Sequence, residues 1–220
     1  MKRRIVVGVP LVLLGLPGVI GVLHLAVARP LLALIGVGCP VRASPEEVEA
    51  ARLTSARAAR GTATSPERPA LGFALDRMTP ADIDAWVTRH AIDCTESQRG
   101  AVLTCKNVTP VALGQASGAP IDDLSFAFDP KASRLVTVTT LRSHLDASAA
   151  AAKLQAIAAG LAAKLGPGRS MGQPTADYLA QGELRTALVE YRYFDYIASV
   201  SATNLGGRVA VREHYMSAVD

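Results

Sequence analysis

The sequence is poor in the residues and motifs on which enzyme chemistry usually depends. Its 220 residues include four histidines, three cysteines and one tryptophan. It contains no nucleophile elbow, Walker loop, dinucleotide fingerprint or H-E-x-x-H motif. These absences argue against the hydrolases, nucleotide-binding enzymes and zinc proteases that carry such motifs. We therefore assign no catalytic, cofactor-binding or metal-binding residue from the sequence.

Acidic residues are absent before Cys39, and this changes how the charge is interpreted. The chain has 23 Lys and Arg against 19 Asp and Glu, a net charge of +4. Four of the basic residues precede Cys39, so the rest of the chain balances 19 basic against 19 acidic residues. A neutral domain without a Lys/Arg block lacks the electrostatic footprint of phosphate recognition. The sequence therefore predicts no nucleic-acid partner.

A long apolar run occupies the N-terminus. It follows Lys2-Arg3-Arg4, extends from Ile5 to Gly38 and includes His24. At about 1.5 Å per residue, a helix of this length exceeds the ~30 Å hydrocarbon core of a bilayer. Residues 1–38 therefore predict a transmembrane anchor or signal segment whose cationic end stays in the cytoplasm. The expected location is the bacterial inner membrane, with a periplasmic domain.

Two alternatives for this segment stay open. A signal peptidase could cut after Ala26-Val27-Ala28, which would secrete the remainder. The sequence Gly36-Val37-Gly38-Cys39 is similar to a bacterial lipobox, so Cys39 is a candidate for lipidation and for a lipid anchor in the envelope. All three interpretations place the rest of the chain outside the cytoplasm.

Cys94 and Cys105 predict a disulfide, which is typical of an oxidising compartment. If Arg99-Gly100 forms a two-residue hairpin loop, Gln98 faces Ala101 and, counting outwards, Cys94 faces Cys105. Directly opposed strand residues lie about 4.5–5.5 Å apart at Cα, a distance that a disulfide spans. A metal site with His90 is the competing interpretation, but the cysteines lack the close spacing of a zinc clip.

The remaining sequence divides into a linker and one domain. Residues 39–69 predict a linker that spaces the domain from the membrane, partly helical because Ser44 and Pro45 can start a helix over 45–60. Residues 70–220 have the length of one extracytoplasmic domain.

Periodicity within 70–220 predicts the elements of that domain. They are a strand over 71–75, a helix capped by Thr79, hairpins over 92–107 and 123–141, a helix over 147–165, a loop over 169–182 and a final hairpin with strands 185–203 and 208–215. Strands joined by hairpins make an antiparallel sheet. The predicted fold class is α+β, with two amphipathic helices on one face of the sheet and an N-terminal hydrophobic helix before it.

The final hairpin concentrates tyrosine and arginine, which are frequent at interface hot spots. A candidate partner surface consists of Tyr191, Arg192, Tyr193, Tyr196, Arg212 and Tyr215. The alternative is that the tyrosines complete the core while Glu and Arg form cross-strand pairs. An acid–base pair of Glu213 and His214 is disfavoured, because neighbouring strand residues point to opposite faces.

Residues 71–142 carry a resemblance to a known group of proteins. The strand Leu71–Leu75, the Thr79-capped helix and the cysteine-bearing hairpins resemble the small α+β modules of bacterial envelope lipoproteins that help outer-membrane protein assembly, and the related helix-on-sheet inhibitor domains. The resemblance implies a binding module rather than an enzyme.

The sequence therefore predicts a membrane-tethered extracytoplasmic domain with a structural or protein-binding role in a bacterial envelope. Its partners would be the membrane, through the N-terminal segment, and an envelope protein. Abundant alanine and an excess of Arg over Lys are typical of a GC-rich bacterial genome. The alternative is an envelope hydrolase with residues near His144 or His214.

Overall fold

A computed structural model of the chain describes residues 44–114, 118 and 120–219. The predicted anchor over residues 1–38 and the candidate lipidation site Cys39 lie outside these residues. Within the described ranges, no helix combines the length and the apolar character needed to cross a membrane.

The centre of the fold is one antiparallel sheet of eight strands in the order β1-β2-β3-β4-β8-β7-β6-β5. The strands are β1 (Cys94–Ser97), β2 (Val102–Val108), β3 (Ile121–Asp129), β4 (Arg134–Leu145), β5 (Arg169–Met171), β6 (Thr186–Arg192), β7 (Tyr196–Asn204) and β8 (Val209–Ser217). Neighbouring strands in each half follow each other along the chain, and β4 pairs with β8 where the halves meet. The predicted α+β class with an antiparallel sheet is confirmed.

Four α-helices of the described residues accompany the sheet: α1 (Pro45–Ala59), α2 (Pro80–His90), α3 (Ala147–Leu165) and α4 (Ala176–Ala180). Their starts follow from side-chain caps. The Thr79 hydroxyl accepts from the Asp82 N–H while the Asp82 carboxylate accepts from the Thr79 N–H, which forms a capping box. Asp146 caps α3 through the Ala149 N–H at 2.7 Å.

One face of the sheet, the helix face, packs against α2 and α3. Ile83 of α2 and Leu154 of α3 are almost fully buried in the same core as Phe126 and Tyr191 of the sheet. Trp86 adds an edge-on contact with Phe73, with ring centroids 5.1 Å apart. Both helices predicted to be amphipathic therefore lie on one face of the sheet.

Helix α1 packs against the opposite face. Ala56 is fully buried against Ile197, Met216 and Ala218, and Arg52 donates a hydrogen bond to the Ser217 carbonyl. The sequence predicted helix 45–60 as part of a spacer. In the structure, this helix instead belongs to the compact unit that starts at Ser44.

Three predicted elements differ from the structure. Residues 71–75 form turns rather than a strand, with positive φ at Leu71 (58°) and Gly72 (91°), although Phe73 and Leu75 are buried as core residues. The predicted strand 185–203 is two strands, β6 and β7, separated at 193–195. The predicted loop 169–182 contains β5 and α4.

Candidate functional site

The sheet face opposite to α2 and α3, the open face, is only partly covered. Helix α1 covers the part of this face that contains Thr137, Ile197 and Met216, which are at most 9% exposed. Beyond α1 most side chains on this face are polar and partly exposed, and the partly exposed Leu141 and Leu188 lie among them. This open part is the candidate functional site.

A row of short polar side chains crosses the open face. Backbone pairing joins Thr104 to Ser125, Ser125 to Thr139, Thr139 to His214 and His214 to Ser199. These five residues, the hydroxyl row, occupy β2, β3, β4, β8 and β7. Adjacent strands lie about 4.8 Å apart, so the row spans about 19 Å.

Side-chain hydrogen bonds order the hydroxyl row. The Thr104 and Ser125 hydroxyls lie 3.0 Å apart, and the Thr139 hydroxyl lies 2.9 Å from His214 Nδ1. Ser and Thr side chains have few rotamers, so little conformational entropy is lost when they are fixed against another surface. The paired side chains of the row are therefore held in place within the domain itself.

His214 is the most perturbed titratable group of the open face. Burial, followed by the positive charge of Arg212, lowers its pKa to about 4. The imidazole is therefore neutral at neutral pH. Arg212 Nη2 lies 3.4 Å from Nδ1 and can only donate, so the neutral ring carries its proton on Nε2.

Charged residues lie beside the hydroxyl row. The neighbouring row, on the side away from α1, contains an ion pair between Lys106 and Asp123. The same row contains the exposed Arg212. Neutral hydrogen-bonding groups and opposite charges thus occur together, as at the polar part of many protein interfaces.

Glu213 lies on the helix face, so it cannot pair with His214. Its carboxylate accepts hydrogen bonds from the Thr140 hydroxyl at 3.0 Å, Arg142 Nη1 at 2.6 Å and the Tyr215 hydroxyl at 2.6 Å. Burial and the Glu213 charge raise the pKa of Tyr215 well above its ordinary value, which keeps the phenol protonated as a donor. This buried network joins β4 to β8.

No protein-family model, curated protein or solved structure matches this chain. The resemblance of residues 71–142 to envelope modules stays a prediction.

The candidate partner surface of the final hairpin does not form one surface. Tyr191, Tyr196 and Tyr215 are at most 3% exposed and belong to the core beneath α2 and α3. Alternation along β6, β7 and β8 sends these three rings to the helix face. This placement corresponds to the core alternative, because three of the six residues are inaccessible to a partner.

The other three residues of that set lie apart from one another. Arg192 is exposed and pairs with Glu190 at 2.8 Å. Tyr193 begins the β6–β7 turn, and its hydroxyl donates to the Leu165 carbonyl. Arg212 lies on the open face beside the hydroxyl row, and Arg192 lies on the same face, opposite Ile197 in the β6–β7 ladder.

The disulfide is present as predicted. Cys94 pairs with Cys105 in the β1–β2 ladder, and their sulfurs are bonded. The loop follows the predicted register, since the Ala101 N–H donates to the Gln98 carbonyl at 3.2 Å. The bond closes the hairpin at the edge of the sheet.

Sequence reasoning missed the hydroxyl row. Ser and Thr at alternate positions of β4 and β7 were the available signal, but such a pattern is also typical of an ordinary solvated face. Only the register across β4 and β8 aligns Thr139 with His214, residues that are 75 positions apart.

Proposed function

We propose that this chain is a membrane-tethered extracytoplasmic binding module of a bacterial envelope, and that a partner protein docks on its open face. The hydroxyl row is the observation that carries the proposal. Five adjacent strands present polar side chains, four of which form side-chain hydrogen bonds in pairs, and the Ser and Thr members lose little entropy on contact.

Two further features support the location. The apolar run over 5–38 is long enough to span a bilayer. The Cys94–Cys105 disulfide is typical of proteins that fold outside the reducing cytoplasm. Both favour a domain held on the outer side of the inner membrane.

Photocrosslinking in intact cells tests the docking face. A benzoylphenylalanine residue at Ser199 lies in the hydroxyl row, whereas one at the exposed Ala159 lies on α3, on the other side of the sheet. We expect a protein adduct of one mass at Ser199 and not at Ala159. Adding Ser125→Arg should reduce the Ser199 adduct at least tenfold, because a long charged side chain then stands in the row.

The same experiment can overturn the proposal. Equal adducts at Ser199 and Ala159, only lipid adducts, or a Ser199 adduct that Ser125→Arg leaves unchanged would each contradict docking on the open face. Thermal unfolding of the purified Ser125→Arg protein is the control that checks whether the sheet still forms.

A further inference from the structure

Helix α1 faces the sheet with charged as well as apolar side chains. Four residues at spacings of four, three and four form the stripe of α1 that meets the sheet: Pro45, Glu49, Arg52 and Ala56. The two ends of the stripe, Pro45 and Ala56, are buried. Between them, Glu49 and Arg52 are only 13% and 11% exposed and pair with each other at 2.6 Å. The middle of the stripe is therefore an ion pair within the helix itself.

The strands beneath α1 present a mainly apolar row. Backbone pairing joins Val102 to Ala127, Ala127 to Thr137, Thr137 to Met216 and Met216 to Ile197. Each of these five residues, the covered row, lies two positions along its strand from a member of the hydroxyl row. Both rows therefore belong to the open face. Four of the five side chains in the covered row are apolar.

The helix and the surface that it covers are poorly matched. An ion pair held against apolar side chains loses hydration that its mutual attraction only partly restores. Among the described residues, the sheet offers this pair one hydrogen bond, from Arg52 to the Ser217 carbonyl. Grooves of about 380 and about 150 Å³ remain beside the pair, since Glu49 and Arg52 line both of them. Helix α1 is therefore held less firmly than an apolar helix would be.

A partner on the hydroxyl row would reach α1. Successive residues on one face of a strand lie about 7 Å apart, so the covered row is the immediate neighbour of the hydroxyl row. A protein contact of ordinary size covers about 800 Å² on each partner, which is about 28 Å across. A contact centred on the hydroxyl row thus extends over the covered row, and the partner competes with α1 for the same surface.

We propose that α1 is a displaceable strap, which covers an apolar binding surface in the free domain and yields it to the docked partner. The inference rests on the proposed docking at the open face and adds that the partner presents an apolar segment to the covered row. In the complex, apolar and hydroxyl side chains then lie side by side, as the apolar core and polar rim of one interface.

Thiol labelling tests the opening of α1 without a partner. In the purified full chain carrying Cys39→Ser, Ile197→Cys places a thiol in the covered row, and Val189→Cys places one in the core on the helix face. Both positions are 7% exposed. N-ethylmaleimide should react about a hundredfold faster with the Ile197→Cys protein, because local opening of α1 exposes that position while the sheet stays folded. Equal rates would overturn the proposal.

Replacing the ion pair by apolar side chains should close the strap. For Glu49→Leu with Arg52→Leu, we expect an equal or higher thermal midpoint and about tenfold slower labelling of the Ile197→Cys protein. In intact cells, the same two changes should reduce the benzoylphenylalanine adduct at Ser199 about tenfold, because a firmly held α1 keeps the partner off the covered row. A helix with a purely structural role would not lose the adduct when it is stabilised.

Ala51→Leu with Ser55→Leu is the matched control, since both positions are exposed on α1. This variant adds two leucines to the same helix and should change neither the labelling rate nor the adduct. A Ser199 adduct that Glu49→Leu with Arg52→Leu leaves unchanged would overturn the displacement of α1 and leave docking on the hydroxyl row intact. Absence of the Ser199 adduct in the otherwise unaltered chain would overturn both proposals.

Discussion

At the residue scale, the carboxylate of Glu213 is a buried charge that depends on its hydrogen-bond donors. Its side chain is 3% exposed, as is that of its partner Arg142. Removing one member of a buried ion pair leaves the other charge desolvated and unpaired. The stability of the β4–β8 junction therefore depends on both residues being present.

We expect Glu213→Ala to lower the free energy of unfolding by about 3–5 kcal/mol, because Arg142 then stays buried without its counter-charge. Urea unfolding measures the change. Glu190→Ala is the matched control, since it breaks the more exposed pair with Arg192 and should cost about 1 kcal/mol or less. A loss for Glu213→Ala no larger than that of the control would contradict this account.

The double variant Arg142→Met, Glu213→Leu extends the comparison. Apolar side chains of similar volume can replace a buried ion pair at little cost. The double variant should therefore be more stable than Glu213→Ala in the same urea measurement.

His214 makes stability depend on pH. Its folded pKa of about 4 lies below the ordinary 6.5, so between these values the unfolded chain binds a proton that the folded chain does not. Stability should therefore fall as pH drops from 6.5 to 4. The ring retains some exposure, so we expect a loss of about 2 kcal/mol rather than the full value of the shift.

Urea unfolding at several pH values checks this prediction. His214→Gln should remove about 2 kcal/mol of the pH dependence between pH 6.5 and 4. Identical pH profiles for the wild type and His214→Gln would show that the imidazole does not stay neutral in the fold.

At the scale of elements, α1 is the helix whose attachment can be tested most directly. It crosses the open face from the Pro45 end, near Val102 and Phe128, to Ala56 beside Ile197. The chain leaves it through Gly61, where a Cβ atom would lie 2.2 Å from the Arg192 carbonyl oxygen. Only a residue without a side chain permits so close an approach.

Ala56→Lys should detach α1 while the sheet stays folded, because a charged side chain then replaces a methyl group that is fully buried. We expect faster hydrogen exchange across 45–59 and unchanged exchange in β3, β4 and β8. Ala50→Lys is the control, since Ala50 is exposed on the same helix. Loss of protection in the central strands would show instead that α1 is required for the sheet.

Local signals predicted some elements and failed for others. The 147–165 helix followed from Asp146 and an apolar stripe that ends before Gly166, and the structure has this helix. The turn at 193–195 was missed because it contains neither glycine nor proline and lies within an aromatic, strand-like run. Helix α1 was predicted, but its packing was not, since one buried alanine gives no sequence signal.

At the scale of the whole molecule, two similar halves share one sheet. Helix α2 precedes the four strands β1–β4, and helix α3 precedes the four strands β5–β8, with α4 between β5 and β6. Within the sheet, the two halves are joined by the pairing of β4 with β8. The hydroxyl row and the Glu213 network also cross this junction. Sequence patterns predicted β1–β4 and β8 but merged β6 with β7 and missed β5. The pairing between the halves is non-local, and no local pattern specifies it.

The segment after α1 gives the fold a mechanical property. Residues 60–70 pass around the end of the sheet, held where the Gly61 N–H donates to the Tyr193 carbonyl and where the Tyr196 hydroxyl donates to the Pro69 carbonyl. A force applied at Ser44 would therefore act first on the contact between α1 and the sheet. The hydrogen bonds between the strands would bear the force only after α1 had detached. The small Ala56 contact would yield first, and the released helix would lengthen the connection while the sheet stays closed. Detachment of helix α1 would then take up the extension before the strands of the sheet separate.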